Sequence, residues 1–208
     1  MTDRRLYVIT PPRFEPRTFI DDFLTVLDAG PVGCVQLRMK DRPDDDIRQA
    51  CEALMPPAQE RDIAFLVNDR ADIAKELGAD GVHIGQGDTP CREARNLLGP
   101  DAIVGVTCHN SRHLAMEAGE AGADYVAFGS FFPTTTKNTT EKADLATLGW
   151  WSAFTTLPSV AIGGITADNC SEILKNGADF LAVCGYVWNN PDASPAEAAG
   201  AFSSVLET

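Results

Sequence analysis

The feature that most constrains the fold of this chain is a regular alternation of short apolar runs with longer segments of helical spacing. Most of the runs are apolar throughout, as in strands whose two faces are both buried. The longer segments repeat apolar residues three and four positions apart, which is typical of helices that pack on one face. We predict strands at Leu6–Thr10, Gly33–Arg38, Ala64–Asp69, Gly81–Gly85, Ile103–Cys108, Tyr125–Gly129, Ser159–Ile165 and Phe180–Gly185. The clearest helical segments are Ile47–Ala58, Arg70–Leu77, Ser111–Ala121, Ala167–Lys175 and Pro195–Leu206.

Eight strands that alternate with helices favour a closed (β/α)₈ barrel, the TIM barrel, over an open sheet. The tripeptide Gly-Ala-Asp occurs three times, at Gly78–Asp80, Gly122–Asp124 and Gly177–Asp179, each time between a helical segment and a strand. A glycine in this place ends a helix in the left-handed conformation. The copies therefore indicate scaffold loops on the face opposite an active site. Because no linker or low-complexity segment interrupts the chain, we predict one α/β domain over residues 1–208.

Charge and cysteine usage narrow the function classes. The net charge of −13 argues against a nucleic-acid or anionic-membrane partner, since both need a basic surface. No run approaches the ~20 apolar residues of a membrane span, and the N-terminus lacks a signal-peptide pattern. The six cysteines form no CxxC pair and are expected to be reduced thiols. We predict a cytoplasmic protein that acts on small molecules; the sequence leaves homo-oligomer formation open.

Polar residues collect at the end of the second predicted strand. Alternation along the strand places Gln36, Arg38 and Lys40 on one side, with Gln36 and Arg38 still inside the strand. An amide and two cations at the C-terminal end of a barrel strand fit a polyanion such as pyrophosphate. The alternative is a solvated loop in which the two cations pair with Asp41 and the acidic run 44–46. We favour the anion site.

Two further strand ends carry carboxylates. Asp69 follows Asn68 at the end of the third strand, and Asp88 follows the fourth. Mg²⁺ is commonly held by one or two carboxylates together with phosphate oxygens of a substrate. Each aspartate alone is better explained as a cap of the following helix. Taken together, beside a cationic second strand, they favour a magnesium site.

The fifth and sixth strands add candidate substrate contacts. Thr107 and His109 lie at the end of the fifth strand, whereas His83 lies inside the fourth and suits a supporting role. A long hydroxyl-rich loop after the sixth strand contains Thr134 and Thr136 and ends at Lys137. Hydroxyls and one ammonium can bind phosphate oxygens, although Thr/Pro runs also occur in loops without a function. The length and position of this loop favour a binding role.

The last two strands end in small residues. Gly163 and Gly164 lie near the end of the seventh predicted strand, and Cys184 and Gly185 close the eighth. Barrels frequently bind phosphate through backbone N–H groups of the loops after these two strands. Glycine allows such an approach because a Cβ would hold the backbone away from the phosphate oxygens. A phosphate site is therefore predicted here.

In this order, the strand-end segments resemble the thiamine phosphate synthase family and its close relative, the thiazole tautomerase family. The likeness extends from Tyr7 to about Trp188. The segments that carry it correspond to the family patterns QLR-x-K, ND, GVHxGQxD, PTxTK and AIGGI…N. In this chain they are Gln36–Lys40, Asn68–Asp69, Gly81–Asp88, Pro133–Lys137, and Ala161–Ile165 with Asn169.

The resemblance implies a Mg²⁺-dependent transferase of thiamine biosynthesis. It would couple hydroxymethylpyrimidine pyrophosphate with a thiazole phosphate and release pyrophosphate. By the same resemblance, Arg38, Lys40 and Lys137 stabilise the leaving pyrophosphate together with Asn68, and Asp69 and Asp88 hold Mg²⁺. The remaining implied contacts are with substrate: Gln36 and Thr107 with the pyrimidine, and Thr134, Thr136, Gly164, Cys184 and Gly185 with the thiazole phosphate. His109 is a further substrate-binding candidate.

Three departures from the family pattern stand out. Thr107 replaces the usual Ser, Gly185 replaces a Ser that often contacts phosphate, and residues 186–188 are bulkier than usual. Two alternatives are kept beside the synthase. One is a metal-free tautomerase with His109 as acid and base, and the other, which the departures on the eighth strand would suit, is a precursor-binding relative without catalysis. A tautomerase has no use for the five charged residues of the pyrophosphate and metal set, so the synthase is our main hypothesis.

Overall fold

Eight parallel strands form a closed barrel in chain order, with β8 hydrogen-bonded to β1. The computed structural model describes residues 5–134 and 142–206. Every strand pairs with its sequence neighbour in parallel, as expected when a helix returns the chain to the same end of the sheet. The predicted (β/α)₈ barrel is confirmed. The strands are β1 (Leu6–Ile9), β2 (Val32–Leu37), β3 (Ala64–Asn68), β4 (Gly81–Ile84), β5 (Ile103–His109), β6 (Tyr125–Gly129), β7 (Ser159–Ile162) and β8 (Phe180–Val183).

The helices lie between successive strands and after β8. The Pro195–Leu206 segment, predicted as one helix, is two short helices separated at Ala201 and Phe202. Within the described residues no helix is long and apolar enough to cross a membrane. The helices are α1 (Pro16–Ala29), α2 (Asp44–Gln59), α3 (Ala71–Leu77), α4 (Cys91–Leu98), α5 (Arg112–Glu120), α6 (Leu145–Phe154), α7 (Ser171–Lys175), α8 (Gly185–Trp188), α9 (Pro195–Gly200) and α10 (Ser203–Leu206).

The apolar core has two parts, because each strand buries both faces. The larger part lies between the sheet and the helices and includes Phe23, Phe65 and Phe128. A smaller part fills the barrel interior and contains two tyrosines, Tyr7 and Tyr125. Strands buried on both sides need apolar residues at successive positions, which explains why the runs in the sequence do not alternate.

The aspartates of the Gly-Ala-Asp repeat hold the start of the neighbouring strand. The Oδ2 atom of Asp80 accepts a hydrogen bond from the backbone N–H of Phe65 at 2.7 Å. Asp124 does the same for Val104 at 2.7 Å, and Asp179 for Ser159 at 2.8 Å. The three glycines have left-handed φ values of 73°, 98° and 87°. The repeat is therefore a structural device on the N-terminal side of the barrel.

Several predicted strand ends need correction. β2 ends at Leu37, so Arg38 is the first residue of the following loop and not part of the strand. β7 ends at Ile162 because Gly163 and Gly164 have φ values of 103° and 64°, which a strand cannot contain. β5 runs one residue further than predicted and includes His109. The polar side chains nevertheless reach the same rim.

Candidate active site

A cavity of about 380 Å³ opens at the C-terminal ends of the strands. This is the rim at which βα loops build active sites in barrels of this kind. Every predicted site residue within the described ranges lines the cavity, while Thr136 and Lys137 lie outside those ranges. The lining includes Gln36, Arg38, Lys40, Asn68, Asp69, Asp88, Thr107, His109, Thr134, Gly164, Cys184 and Gly185.

On the β2–β4 side, two carboxylates and two cations share the rim. Burial is the main cause that raises the pKa of Asp69, to about 6, from an ordinary value of 3.8. The neighbouring Asp88 carboxyl raises this pKa further, while Lys40 and Arg38 lower it. Two carboxyls that close to each other resist simultaneous ionisation unless a cation joins them. The arrangement therefore favours binding of positive charge between them.

Neither aspartate caps a helix. The residue that precedes α3 is Arg70 and the residue that precedes α4 is Pro90, and neither helix has a side-chain cap. Asp88 instead accepts a hydrogen bond from the N–H of Gly85 at 2.8 Å, which holds its carboxylate at the rim. The capping alternative raised by the sequence is therefore wrong for both residues.

The acidic run after β2 has other partners than the two rim cations. Asp44 pairs with Arg70, and Asp46 pairs with Arg42 at 2.6 Å. Among the described residues, no ion pair involves Arg38 or Lys40. Both cations therefore remain available to a ligand in the cavity.

On the opposite side, the loop after β7 forms a tight backbone turn. The side chain of Asn169 donates to the carbonyl of Gly164 at 2.9 Å and accepts from the N–H of Thr166 at 2.9 Å. A Cβ on Gly164 would lie 2.4 Å from the carbonyl oxygen of Pro133. Glycine is required here because the loops after β6 and β7 touch, a reason that the sequence did not supply. Asn169 fixes the turn in this position.

The bulky residues after β8 point in different directions. Tyr186 lines the cavity, and its ring packs edge-on against Phe202. The indole N–H of Trp188 donates to the carbonyl of Ile9 at 2.7 Å, and its ring lies 4.7 Å from that of Phe19. Val187 is fully buried. Of the three, only Tyr186 reaches the ligand space.

Sequence reasoning missed the polar groups beneath the cavity. The hydroxyls of Tyr7 and Tyr125 lie 2.8 Å apart inside the barrel. Tyr7 donates to Gln36 at 3.0 Å, and His83 lies 2.7 Å from the Tyr125 hydroxyl and 2.8 Å from that of Thr107. The signal was present in the sequence, because a tyrosine inside a buried strand must find a partner for its hydroxyl. The supporting role expected of His83 agrees with these contacts.

Fold and site together define a (β/α)₈-barrel enzyme for small phosphorylated substrates. Residues 6–187 match the family model described as thiamine monophosphate synthase. The chain is 59% identical over 206 residues to the thiamine-phosphate synthase of Rhodospirillum centenum, covering 99% of both chains. It is 49% identical to that of Hyphomonas neptunium, covering 98% of this chain and 94% of the relative. The chain belongs to the thiamine monophosphate synthase family.

A solved structure agrees with this assignment. The barrel superposes on the thiamine phosphate pyrophosphorylase from Pyrococcus furiosus with a TM-score of 0.86 and 33% sequence identity. The alignment covers 99% of this chain and 96% of that protein. The similarity therefore extends over the whole barrel.

Proposed function

We propose that this transferase couples hydroxymethylpyrimidine pyrophosphate with a thiazole phosphate to give thiamine phosphate and pyrophosphate. The observation that carries the proposal is one cavity with two unlike anion sites. The charged group on the β2–β4 side suits a pyrophosphate, and the glycine turn on the β6–β8 side suits a monophosphate. A closed barrel in chain order places these two sides across from each other. A coupling enzyme needs both.

The pyrophosphate would lie among Arg38, Lys40 and the amide of Asn68. Arg38 offers several donors in one plane, and Lys40 adds a mobile ammonium at the exposed edge. Lys137 is proposed as a further cation on the basis of the family pattern, and it lies outside the described residues. These groups stabilise charge that grows on the leaving pyrophosphate, which is the kind of contact that lowers a barrier most.

Asp69 and Asp88 fit a divalent cation. The Asp88 carboxyl lies close enough to raise the pKa of Asp69. Among the described residues, no ion pair joins either carboxyl to Arg38 or Lys40. Within the described residues, no group of three or more His, Cys, Asp or Glu side chains could hold a metal. Two carboxylates that share Mg²⁺ with phosphate oxygens do not need a third protein ligand. Bound there, Mg²⁺ would supply positive charge against the pyrophosphate oxygens.

The reacting pyrimidine would rest on Gln36 and Thr107, with His109 at the same wall. The bond between the pyrimidine methylene carbon and the pyrophosphate oxygen breaks, and its electron pair leaves with pyrophosphate. The thiazole nitrogen then donates its lone pair to the methylene carbon and becomes the thiazolium nitrogen. No proton has to be removed from that nitrogen, so the chain needs no general base for this step.

The thiazole phosphate would be seated by hydroxyls and backbone. Thr134 lines the cavity beside the turn at Gly164, and Thr136 is included on the basis of the family pattern although it lies outside the described residues. Cys184 precedes α8, Gly185 is its first residue, and both line the cavity, so backbone N–H groups there would be within reach of the phosphate. Backbone amides there can replace the serine hydroxyl that Gly185 lacks.

The test is a pyrophosphate-release assay with both substrates, with and without Mg²⁺. We expect release only when both substrates are present, and loss of at least about 100-fold in turnover in Asp88→Asn. Asp101→Asn, at an exposed loop position, is the matched control and should behave as the parent. Absence of product with both substrates and Mg²⁺ would refute the synthase. Proton exchange in the thiazole alone would then identify a tautomerase, and binding without either reaction a non-catalytic relative.

The cellular location and assembly stay predictions. The six cysteines are free in the structure. A cytoplasmic location rests on the sequence, and homo-oligomer formation is left open.

A further inference from the structure

Six side chains form a continuous hydrogen-bonded chain through the barrel interior. It begins and ends at the cavity, and its middle lies beneath the cavity floor. Successive heavy-atom distances are 2.8, 2.7, 2.8 and 3.0 Å, and the last contact joins the amides of Gln36 and Asn68. In order, the members of this core chain are Thr107, His83, Tyr125, Tyr7, Gln36 and Asn68.

The two amides fix the direction of the tyrosine protons in the core chain, and a neutral His83 imidazole extends that direction to Thr107. Gln36 donates through Nε2 to Oδ1 of Asn68, so its Oε1 must accept from the Tyr7 hydroxyl. A phenol has one proton to donate. Because Tyr7 gives its proton to Gln36, it must accept the proton of Tyr125.

The same count applies on the other side of Tyr125. Its proton is committed to Tyr7, so its oxygen must accept from Nδ1–H of His83. A neutral imidazole with a proton on Nδ1 has an acceptor at Nε2. Thr107 therefore donates its hydroxyl proton to His83.

We infer that the core chain is a one-way relay of hydrogen bonds that gives the two ends of the pyrimidine site opposite polarity. The Thr107 oxygen turns its lone pairs toward the cavity, while the Asn68 amide turns its N–H groups toward it. The catalytic role of this polarity rests on the proposed function, in which the reaction develops positive charge on the pyrimidine and negative charge on the pyrophosphate. Tyr7, Tyr125 and His83 are thus positioning residues that act through Thr107 and Asn68.

Burial keeps the relay intact. Tyr7, Tyr125 and His83 are 3%, 7% and 8% exposed, so little of their surface is open to water. Burial raises the pKa of both tyrosines well above the ordinary value of 10.0, and both phenols stay protonated. Hydrogen bonds aligned head to tail in a poorly solvated interior also strengthen one another. Reversal would require all members to exchange donor and acceptor roles together.

The position of the His83 proton tests the relay without substrate. Long-range ¹H–¹⁵N spectra distinguish Nδ1–H from Nε2–H imidazole, and a His83→Asn variant assigns the signals among the three histidines. We expect Nδ1–H in the parent protein. Nε2–H, or a doubly protonated ring, would overturn the inference. Because the measurement needs no turnover, its failure is distinct from failure of the proposed function.

A distant substitution tests whether the members act together. Tyr7→Phe removes the acceptor of the Tyr125 proton, which is then free to turn to His83 Nδ1. We expect the His83 proton to move toward Nε2 although Tyr7 and His83 are separated by Tyr125. Tyr186→Phe, the same chemical change outside the core chain, should leave it on Nδ1. An unchanged His83 spectrum in folded Tyr7→Phe would refute the coupling.

Kinetics then connect the relay to the reaction. Tyr7→Phe should lower kcat about tenfold, the size of one or two misdirected hydrogen bonds. The KM for thiazole phosphate should stay within about twofold, since the glycine turn does not touch the core chain. A purely structural role would instead change both KM values and leave the His83 proton in place. That outcome would overturn the inference.

Discussion

Replacement of Gly164 by alanine gives a quantitative test of the contact between the loops after β6 and β7. The residue has a φ of 64°, and an added Cβ would lie 2.4 Å from the Pro133 carbonyl oxygen and 2.9 Å from Cβ of Phe132. Gly78 is the matched control. It has a φ of 73°, and a Cβ there would meet nothing within 4 Å.

The two variants share one cost and differ in the other. An alanine forced into left-handed backbone loses about 1 kcal/mol, and both variants incur this loss. Only Gly164→Ala must also push aside the backbone of the preceding loop, an overpacking that costs about 1–3 kcal/mol. We expect free energies of unfolding lower by about 1 kcal/mol for Gly78→Ala and by about 2–4 kcal/mol for Gly164→Ala.

The same displacement should appear in function. Moving the loops apart shifts backbone N–H groups that we propose to hold the thiazole phosphate, so its KM should rise about tenfold in Gly164→Ala. The KM for the pyrimidine substrate should change by less than about twofold, and neither should change in Gly78→Ala. Urea unfolding and steady-state kinetics measure both effects. Equal destabilisation of the two variants, or an unchanged KM for thiazole phosphate, would refute the reasoning.

Three further substitutions test other parts of the structure. In metal-free protein, the raised pKa of Asp69, about 6 against 3.8, means that stability falls as pH rises through that interval. At pH 7, Asp69→Asn should therefore be more stable than the parent by about 1 kcal/mol, a value that is reduced because Asp69 is partly exposed. Below about pH 4 the two proteins should be equally stable, and urea titrations at both pH values measure the difference. Asp80→Ala leaves the Phe65 N–H without its 2.7 Å partner and should lower the free energy of unfolding by about 1–3 kcal/mol. The control Asp101→Ala should lower it by less than about 0.5 kcal/mol. Similar losses in the two variants would contradict the role of the repeat in holding the start of the neighbouring strand. Trp188→Phe should lose about 1 kcal/mol with its bond to Ile9 yet keep both KM values, and a large KM change would place Trp188 in the site.

The barrel was predictable because the sequence of its strands indicates that they are buried. Runs such as residues 64–67 and 125–128 are apolar without alternation, and this indicates strands covered on both faces. The strand ends were less predictable. Gly163 continues an apolar run in the sequence, but its φ of 103° ends β7, and a backbone conformation of this kind leaves little trace in hydropathy.

The rim residues were predictable for a topological reason. In a barrel of parallel strands all C-terminal ends meet at one rim, so Arg38, Asp69 and Asp88 had to come together once the strands were assigned. Whether Asp69 and Asp88 cap helices or face a ligand could be decided only from the backbone positions at which α3 and α4 begin. Arg70 and Pro90, not the aspartates, precede the helices, and the sequence pattern does not show this offset.

The relay beneath the cavity could not be predicted, because it depends on closure of the barrel. Tyr7 and Tyr125 are 118 residues apart in sequence and meet only through the interior of the closed sheet. In the sequence each resembles an ordinary apolar strand residue. Only the rule that a buried hydroxyl needs a partner marks them, and that rule does not name the partner.

The rim of the cavity contains residues whose conformation or charge lowers the stability of the fold. Asp69 has a φ of 63° and His109 a φ of 53°, a conformation that non-glycine residues rarely adopt, and both line the cavity. Asp69 in addition holds its carboxyl beside that of Asp88. Asp69 therefore combines a rarely adopted backbone conformation with like-charge repulsion, two costs that a ligand at the rim can offset. A cation bound between the two carboxyls would remove the repulsion, which agrees with the proposal that Mg²⁺ and a pyrophosphate bind together at this rim.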